Sequence, residues 1–289
     1  MTNAVDIHEP VPAAELARLD ARFPARSVTV AGGASVSVRE CGTGPVLVCL
    51  HGIGSGSASW VDTAQLLAGE ARLIAWDAPG YGSSTPLAAD APKAADYAQR
   101  LGALLEALDI DRCVLVGHSL GALMAAAAAR RGSPLAARIA KLLLISPAAG
   151  YGAPGRAEAQ ARVRAERLDT LAQLGIAGMA AKRSSRLVSE HASETARQWV
   201  RWNMARLNER GYRQAVALLC GGDLLADLPS AMPVRVACGA LDVVTTPETC
   251  AEVAKHCGVP LELLPHAGHA SYVEQPAAVA ALLRETLAA

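Results

Sequence analysis

Short runs of apolar, often β-branched residues alternate with longer stretches rich in alanine and leucine along most of this 289-residue chain. The runs that predict strands occupy 46–50, 73–76, 113–116, 142–145, 234–238 and 261–264. The first four are almost continuously apolar, as is typical of parallel strands covered by helices on both faces. The alternation therefore predicts an α/β fold with a doubly wound, mostly parallel sheet.

The segments around these runs extend the same prediction. Residues 27–30 and 35–39 alternate around Gly32-Gly33, which predicts an antiparallel hairpin that enters the sheet. From 97 to 108 the apolar residues form one helical stripe, whereas 120–130 is apolar nearly all round and predicts a buried helix.

One long segment, from about 150 to 229, interrupts this rhythm. It begins with a turn cluster at 150–155 and contains no convincing strand. We interpret 151–228 as an inserted helical lid, 28–150 with 229–289 as the core, and 1–27 as an N-terminal extension. The alternative is a set of extra helices packed against the edge of the sheet.

Charge and cysteine content exclude several classes of protein. Lysine plus arginine equals aspartate plus glutamate at 27 each, so no basic face for nucleic acid is expected. The seven cysteines are odd in number and none form the two-residue spacing of a metal or redox motif. The N-terminus lacks a secretory pattern, and the apolar runs are too short to span a bilayer. We expect a cytoplasmic protein without metal, cofactor, nucleic acid or membrane.

The sequence Gly117-His-Ser119-Leu-Gly121 directly follows the predicted strand 113–116 and directly precedes the buried helix. A serine on such a sharp strand-to-helix turn projects its hydroxyl above the sheet edge, and the two glycines leave room for the crossing. The helix N-terminus, beginning at Leu120, offers free N–H groups to a developing oxyanion. Ser119 is therefore the candidate nucleophile.

Serine requires a base, and the base requires an orienting group. Two histidines, His266 and His269, follow the last predicted strand. Asp242 follows the strand 234–238 and precedes a helix that begins near Pro247, so it lies at the same carboxyl edge of the sheet. The other candidate acids, Asp223 and Asp227, lie where the predicted lid ends.

Taken together, these markers resemble the α/β-hydrolase superfamily. The resemblance also includes the His51-Gly52 turn and the sequence 76–83, Trp-Asp-Ala-Pro-Gly-Tyr-Gly-Ser. It favours His269 as the base, because Gly-His and a short linker to Glu274-Gln-Pro match the family pattern. It implies a triad of Ser119, Asp242 and His269, in the family's chain order.

The same resemblance assigns the glycine-rich turn 51–57, which lacks the lysine and glycine register of a phosphate-binding loop. It implies that the backbone N–H groups of Ile53 and Leu120 form the oxyanion hole. His51 then braces the turn and transfers no proton.

The family resemblance also implies a function. The chain is similar to the branch of small-ester, enol-lactone and carbon–carbon bond hydrolases, which implies a serine hydrolase of a small carboxylic ester or lactone. The alternative is a carbon–carbon bond hydrolase of an aromatic-degradation pathway, although those enzymes usually carry tryptophan where Ala270 stands and glycine where Ala122 stands. Cofactor-free haloperoxidase-like members share the triad. A slow or non-catalytic small-ligand receptor on the same fold is the alternative of another class.

The predicted lid carries twelve basic and eight acidic residues. One hypothesis places Trp199 or Trp202 in the acyl pocket and one or two lid arginines on a substrate carboxylate, which a guanidinium can pair with through both oxygens. The alternative is that the charges form solvated helix faces and that the tryptophans anchor the lid.

Overall fold

The computed structural model describes residues 10–228 and 230–288. The strands are β1 (Ala25–Thr29), β2 (Ser35–Cys41), β3 (Val46–Leu50), β4 (Arg72–Trp76), β5 (Cys113–His118), β6 (Ile139–Ile145), β7 (Val234–Gly239) and β8 (Leu261–Leu264). The helices are α1 (Ala13–Arg22), α2 (Val61–Leu67), α3 (Ala94–Ala107), α4 (Leu120–Ala129), α5 (Ala157–Arg183), α6 (Glu194–Ala205), α7 (Glu209–Gly221), α8 (Leu224–Asp227), α9 (Pro247–Cys257), α10 (Ser271–Glu274) and α11 (Pro276–Ala288).

All eight strands form one sheet in the order β1-β2-β4-β3-β5-β6-β7-β8. The pairs β1–β2 and β2–β4 are antiparallel, and every other pair is parallel. This confirms the predicted mostly parallel α/β sheet, including the antiparallel hairpin at its entry.

The apolar strands supply two cores, one on each face of the sheet. In β3, Val48 and Leu50 join one cluster while Leu47 and Cys49 join the other, because successive side chains of a strand point to opposite faces. Helices α3 and α4 cover the first face, and α2 and α11 cover the second. Two-sided burial is the physical reason why the strands are apolar throughout.

Four helices, α5 to α8, lie between β6 and β7, where the sequence predicts the lid. Helix α5 is kinked at Gly175, whose φ of 61° and ψ of −174° are not helical. The predicted limits of the lid and of the core stay predictions. At the other end of the chain, α1 and the start of β1 fall within the stretch 1–27, of which 1–9 lies outside the described residues.

No helix of the described chain is long and apolar enough to cross a membrane.

Candidate active site

Ser119 occupies a sharp turn between β5 and α4. Its φ of 52° and ψ of −117° lie in a region that a residue with a side chain adopts only under strain. A Cβ at Gly117 would lie 2.8 Å from the Cα of Ala122, and a Cβ at Gly121 would collide with the carbonyl of Leu50. Only glycine fits on either side of the serine, so the motif is a requirement of the backbone crossing.

Asp242 and His269 meet at the carboxyl ends of β7 and β8. His269 Nδ1 donates to Asp242 Oδ2 over 2.8 Å, and both residues are buried. The other carboxylate oxygen of Asp242 accepts from the backbone N–H groups of Val244 at 2.7 Å and Thr245 at 3.0 Å. The acid is thus held from its own loop, and the bond to Nδ1 leaves His269 Nε2 free to act on a hydroxyl.

Opposing effects set the charge of Asp242. Burial alone raises the pKa of this carboxyl, but the charge and hydrogen bond of His269 and the N–H of Val244 lower it more. The resulting pKa is about 2, so Asp242 is ionised at neutral pH. An ionised acid at this position stabilises the imidazolium that forms when His269 accepts a proton.

Thr245 is a site residue that the sequence reasoning missed. Its Oγ1 lies 2.9 Å from Asp242 Oδ2, 2.9 Å from the carbonyl of Ser146 and 3.2 Å from His269 Nδ1. The hydroxyl donates to one of two acceptors, the carboxylate or the Ser146 carbonyl. The signal in the sequence was its place three residues after Asp242, within reach of an aspartate-led turn.

His118, inside the serine motif, also had no assigned role. Its Nε2 lies 2.8 Å from the carbonyl of His269, so Nε2 carries the hydrogen and donates. Burial, followed by the nearby His269, lowers the pKa of His118 to about 3, which keeps the ring neutral. His118 therefore links the turn that bears Ser119 to the loop that bears His269.

The turn after β3 approaches the serine closely. A Cβ at Gly52 would lie 3.0 Å from the Cβ of Ser119. His51 accepts from the N–H of Ala78 at 3.0 Å and donates to the carbonyl of Gly52 at 2.8 Å, which places it as a brace of the turn. Ile53 lines the same cavity as Ser119 and Leu120.

The rival residues lie elsewhere. His266 is exposed, and its φ of 57° places it on a left-handed turn before the buried His269. Asp223 caps α8 through the N–H of Ala226 at 3.2 Å, and Asp227 lies 3.7 Å from Arg130. The structure brings none of the three to Ser119.

A cavity of about 600 Å³ lies above the sheet edge, and Ser119 and His269 both line it. Its lid wall is largely apolar, with Val163, Met179, Leu187, Val200, Met204 and Leu219. Four lid arginines also reach it, namely Arg156, Arg167, Arg183 and Arg186. Glu166 and Glu252 line it as well, and Glu166 pairs with Arg183 at 3.1 Å. The cavity thus combines an apolar chamber with a charged side on which arginines outnumber acids.

The pocket role predicted for Trp199 and Trp202 is not supported, since neither residue lines this cavity. Trp199 is 2% exposed and packs in the apolar cluster that includes Tyr272 beside the His269 loop. Trp202 packs edge-on against Trp199, and Arg206 lies 4.4 Å above its ring. This packing favours the alternative, in which the tryptophans anchor the lid.

A family model described as the alpha/beta hydrolase family matches residues 47–282, from β3 into α11. The chain belongs to the alpha/beta hydrolase family. This confirms the family resemblance drawn from the motifs.

Individual relatives match different shares of this chain. Over 83 residues, 29% of the chain, it is 43% identical to an uncharacterized protein of Mycobacterium tuberculosis, of which the match spans only 24%. It is 34% identical over 212 residues to the pimeloyl-[acyl-carrier protein] methyl ester esterase of Aeromonas salmonicida, covering 67% of this chain and 73% of that one.

Among solved structures, the enol-lactonase from Burkholderia xenovorans is similar in fold. The TM-score is 0.78 over 91% of this chain and all of that one, with 22% sequence identity. At that identity the likeness concerns the fold alone.

The described hydrogen bonds of the His269 side chain go to Asp242 and Thr245, and none joins it to Ser119. Contacts between a nucleophile and its base are often long before substrate binds, and tighten in the complex.

Proposed function

We propose that this hydrolase is a serine esterase that cleaves a small carboxylic ester or lactone through an acyl-enzyme. The observation that carries the proposal is the placement of Ser119 and His269 on one cavity, with Asp242 hydrogen-bonded to His269. A strained Ser119 and a buried His269 paired with an ionised Asp242 face the same chamber. This is the set of groups that nucleophilic acyl transfer requires.

In the proposed mechanism, His269 Nε2 removes the proton of Ser119 as the hydroxyl oxygen attacks the substrate carbonyl carbon. The oxyanion accepts hydrogen bonds from the N–H groups of Ile53 and Leu120; the latter opens α4 and has no acceptor within the helix. The alcohol leaves with the proton from His269. Water then gives its proton to His269, attacks the acyl carbon and releases the acid and Ser119.

The cavity supports a substrate class as well as a reaction. A chamber of about 600 Å³ suits a small molecule. Arg183 is paired with Glu166, but Arg156, Arg167 and Arg186 have no described ion pair and suit a substrate that carries a carboxylate away from the reacting ester. The methyl ester esterase named above is a relative whose printed substrate is an ester, in agreement with the proposed bond type. We propose a small acid-bearing ester or lactone as the ligand.

The experiment is a panel of p-nitrophenyl esters of increasing acyl length, assayed beside an enol lactone and a vinylogous diketone. Turnover of esters or of the lactone, lost in Ser119→Ala, supports the proposal. Turnover of the diketone alone supports carbon–carbon cleavage instead. Thermal stabilisation by these compounds without turnover supports the receptor alternative.

A further inference from the structure

The loop that bears His269 packs directly against a segment of the lid, residues 187–189. The N–H of Ala270 donates to the carbonyl of Leu187 over 2.7 Å, on one side of the histidine. On the other side, the hydroxyl of Ser189 lies 3.2 Å from the carbonyl of His266. The base is therefore carried on a loop whose neighbour belongs to the predicted lid, far from it in sequence.

A single carboxylate, that of Glu274 in α10, joins these two segments. Its Oε1 accepts from the N–H of Gly268, the residue before His269, over 2.9 Å. Its Oε2 accepts from the N–H of Ser189 over 2.8 Å and from the Ser189 hydroxyl over 2.7 Å. Hydrogen bonds to an ionised acceptor are about twice as strong as neutral ones. We call these three bonds the Glu274 bridge.

The backbone is shaped to accept this bridge. A Cβ at Gly268 would lie 2.7 Å from the N of Ser189 and 2.8 Å from Oε1 of Glu274, so any side chain there would push the segments apart. Arg197, in α6, donates to the carbonyls of Ser189 and Glu190 at 3.1 Å each. Ser189 is thus fixed by Arg197 on the lid side and by Glu274 on the core side.

We propose that Glu274 is a positioning residue that holds His269 in place for its hydrogen bond to Asp242 and couples this placement to the lid. The inference rests on the proposed esterase function and deepens it. Glu274 touches neither His269 nor Asp242 by a described hydrogen bond. It acts through Gly268. Because Gly268 directly precedes His269 in the chain, fixing its backbone also fixes the point from which the His269 side chain extends.

The direct test compares Glu274→Gln with Glu285→Gln, a matched change on the next helix at a carboxylate that pairs with Arg235. An amide cannot accept at both ends, so the glutamine variant loses at least one bond of the bridge. With p-nitrophenyl acetate we expect kcat to fall at least tenfold, KM to stay within twofold, and the variant to remain folded. Glu285→Gln retains wild-type kcat.

The pH profile separates positioning from general destabilisation. A His269 that is less well aligned with Asp242 loses its proton more readily, so the acid limb of the kcat profile moves to lower pH in Glu274→Gln. A kcat within twofold of wild type overturns the proposal. So does a lower kcat with an unmoved acid limb, because that result describes only a loss of folded enzyme.

The connection to the lid is tested by Ser189→Ala, which removes the hydroxyl bond and keeps the N–H bond. We expect a smaller loss of kcat, about threefold, and no additional loss when this change is combined with Glu274→Gln, because Ser189 acts through Glu274. Independent, additive losses overturn the coupling.

A further readout needs no turnover. The ¹⁵N imidazole resonances of His269, identified by their loss in His269→Gln, report its bond to Asp242 by NMR. They shift in Glu274→Gln and not in Glu285→Gln if the bridge positions the ring. Identical spectra overturn the inference, whereas an inactive wild type with a shifted His269 contradicts only the proposed esterase function.

Discussion

Thr245 places a hydroxyl 2.9 Å from the carboxylate oxygen of Asp242 that His269 also uses. A carboxylate in a buried position depends on every donor that compensates its desolvation. The N–H groups of Val244 and Thr245 satisfy the other oxygen. The Thr245 hydroxyl lies 2.9 Å from the shared oxygen and 2.9 Å from the Ser146 carbonyl, and we expect it to donate to the carboxylate because that acceptor is charged.

This placement predicts that Thr245→Val keeps the fold and lowers kcat about tenfold, since a hydrogen bond to a charged group contributes about 1.5 kcal/mol or more. Thr245→Ser, which retains the hydroxyl, stays within about threefold of wild type. Thr286→Val is the control, because Thr286 is buried in α11, away from the cavity. Steady-state kinetics with one p-nitrophenyl ester measure these changes in kcat. An unchanged kcat in Thr245→Val contradicts a role of the Thr245 hydroxyl in supporting Asp242.

The choice between His266 and His269 shows what residue order alone leaves open. Both follow β8 within a few positions, and the pattern of neighbouring residues favoured His269 only by family resemblance. The structure separates them by burial and by the bond to Asp242, which depend on how the loop turns at His266. The contacts of Thr245 with Ser146 and of Glu274 with Ser189 join residues far apart in the chain, so residue order alone does not show them.

The strands were predictable because burial on both faces imposes an apolar residue at nearly every position, as in β3 and β5. The serine motif was predictable because the crossing of β5 and α4 excludes side chains at Gly117 and Gly121. The lid gave no such signal. Its helices pack on one another and on the core, so sequence periodicity did not show that Trp199 would face inward or that Gly175 would kink α5.

Arg186 is exposed and lines the cavity, and the carbonyl of its neighbour Leu187 accepts from the N–H of Ala270, the residue after His269. We expect Arg186→Gln to raise KM about tenfold for an ester that bears a second, free carboxylate and to leave KM of its methyl ester unchanged.

The control for this experiment is Arg213→Gln, at an exposed lid arginine that pairs with Glu209 and does not line the cavity. It leaves KM of both substrates unchanged. Equal losses for the acid and for its methyl ester in Arg186→Gln, or no loss for either, would show that the cavity has no charge preference through Arg186.

For the molecule as a whole, the buried His118 ties stability to pH. Its folded pKa of about 3 lies below the ordinary value of 6.5, so the unfolded chain binds a proton more readily than the native one. The stabilising effect is complete above pH 6.5 and is lost as pH falls from 6.5 to 3. Over that window the free energy of unfolding decreases by up to about 5 kcal/mol from this residue.

Urea unfolding between pH 7 and pH 4 measures this effect. His118→Gln can still donate to the carbonyl of His269 but cannot titrate, so its stability falls less steeply with acid than that of the wild type. Parallel curves for the two proteins would contradict a neutral, buried His118 as the source of the acid sensitivity.

We propose that Ser119 is a nucleophile activated by His269. Covalent labelling by a fluorophosphonate, located by mass spectrometry, tests this proposal without any knowledge of the natural substrate. We expect one adduct per chain, on Ser119, none on Ser119→Ala, and labelling slowed by at least a hundredfold in His269→Ala. An adduct on another residue, or a Ser119→Ala variant that retains labelling and ester turnover, would contradict the account.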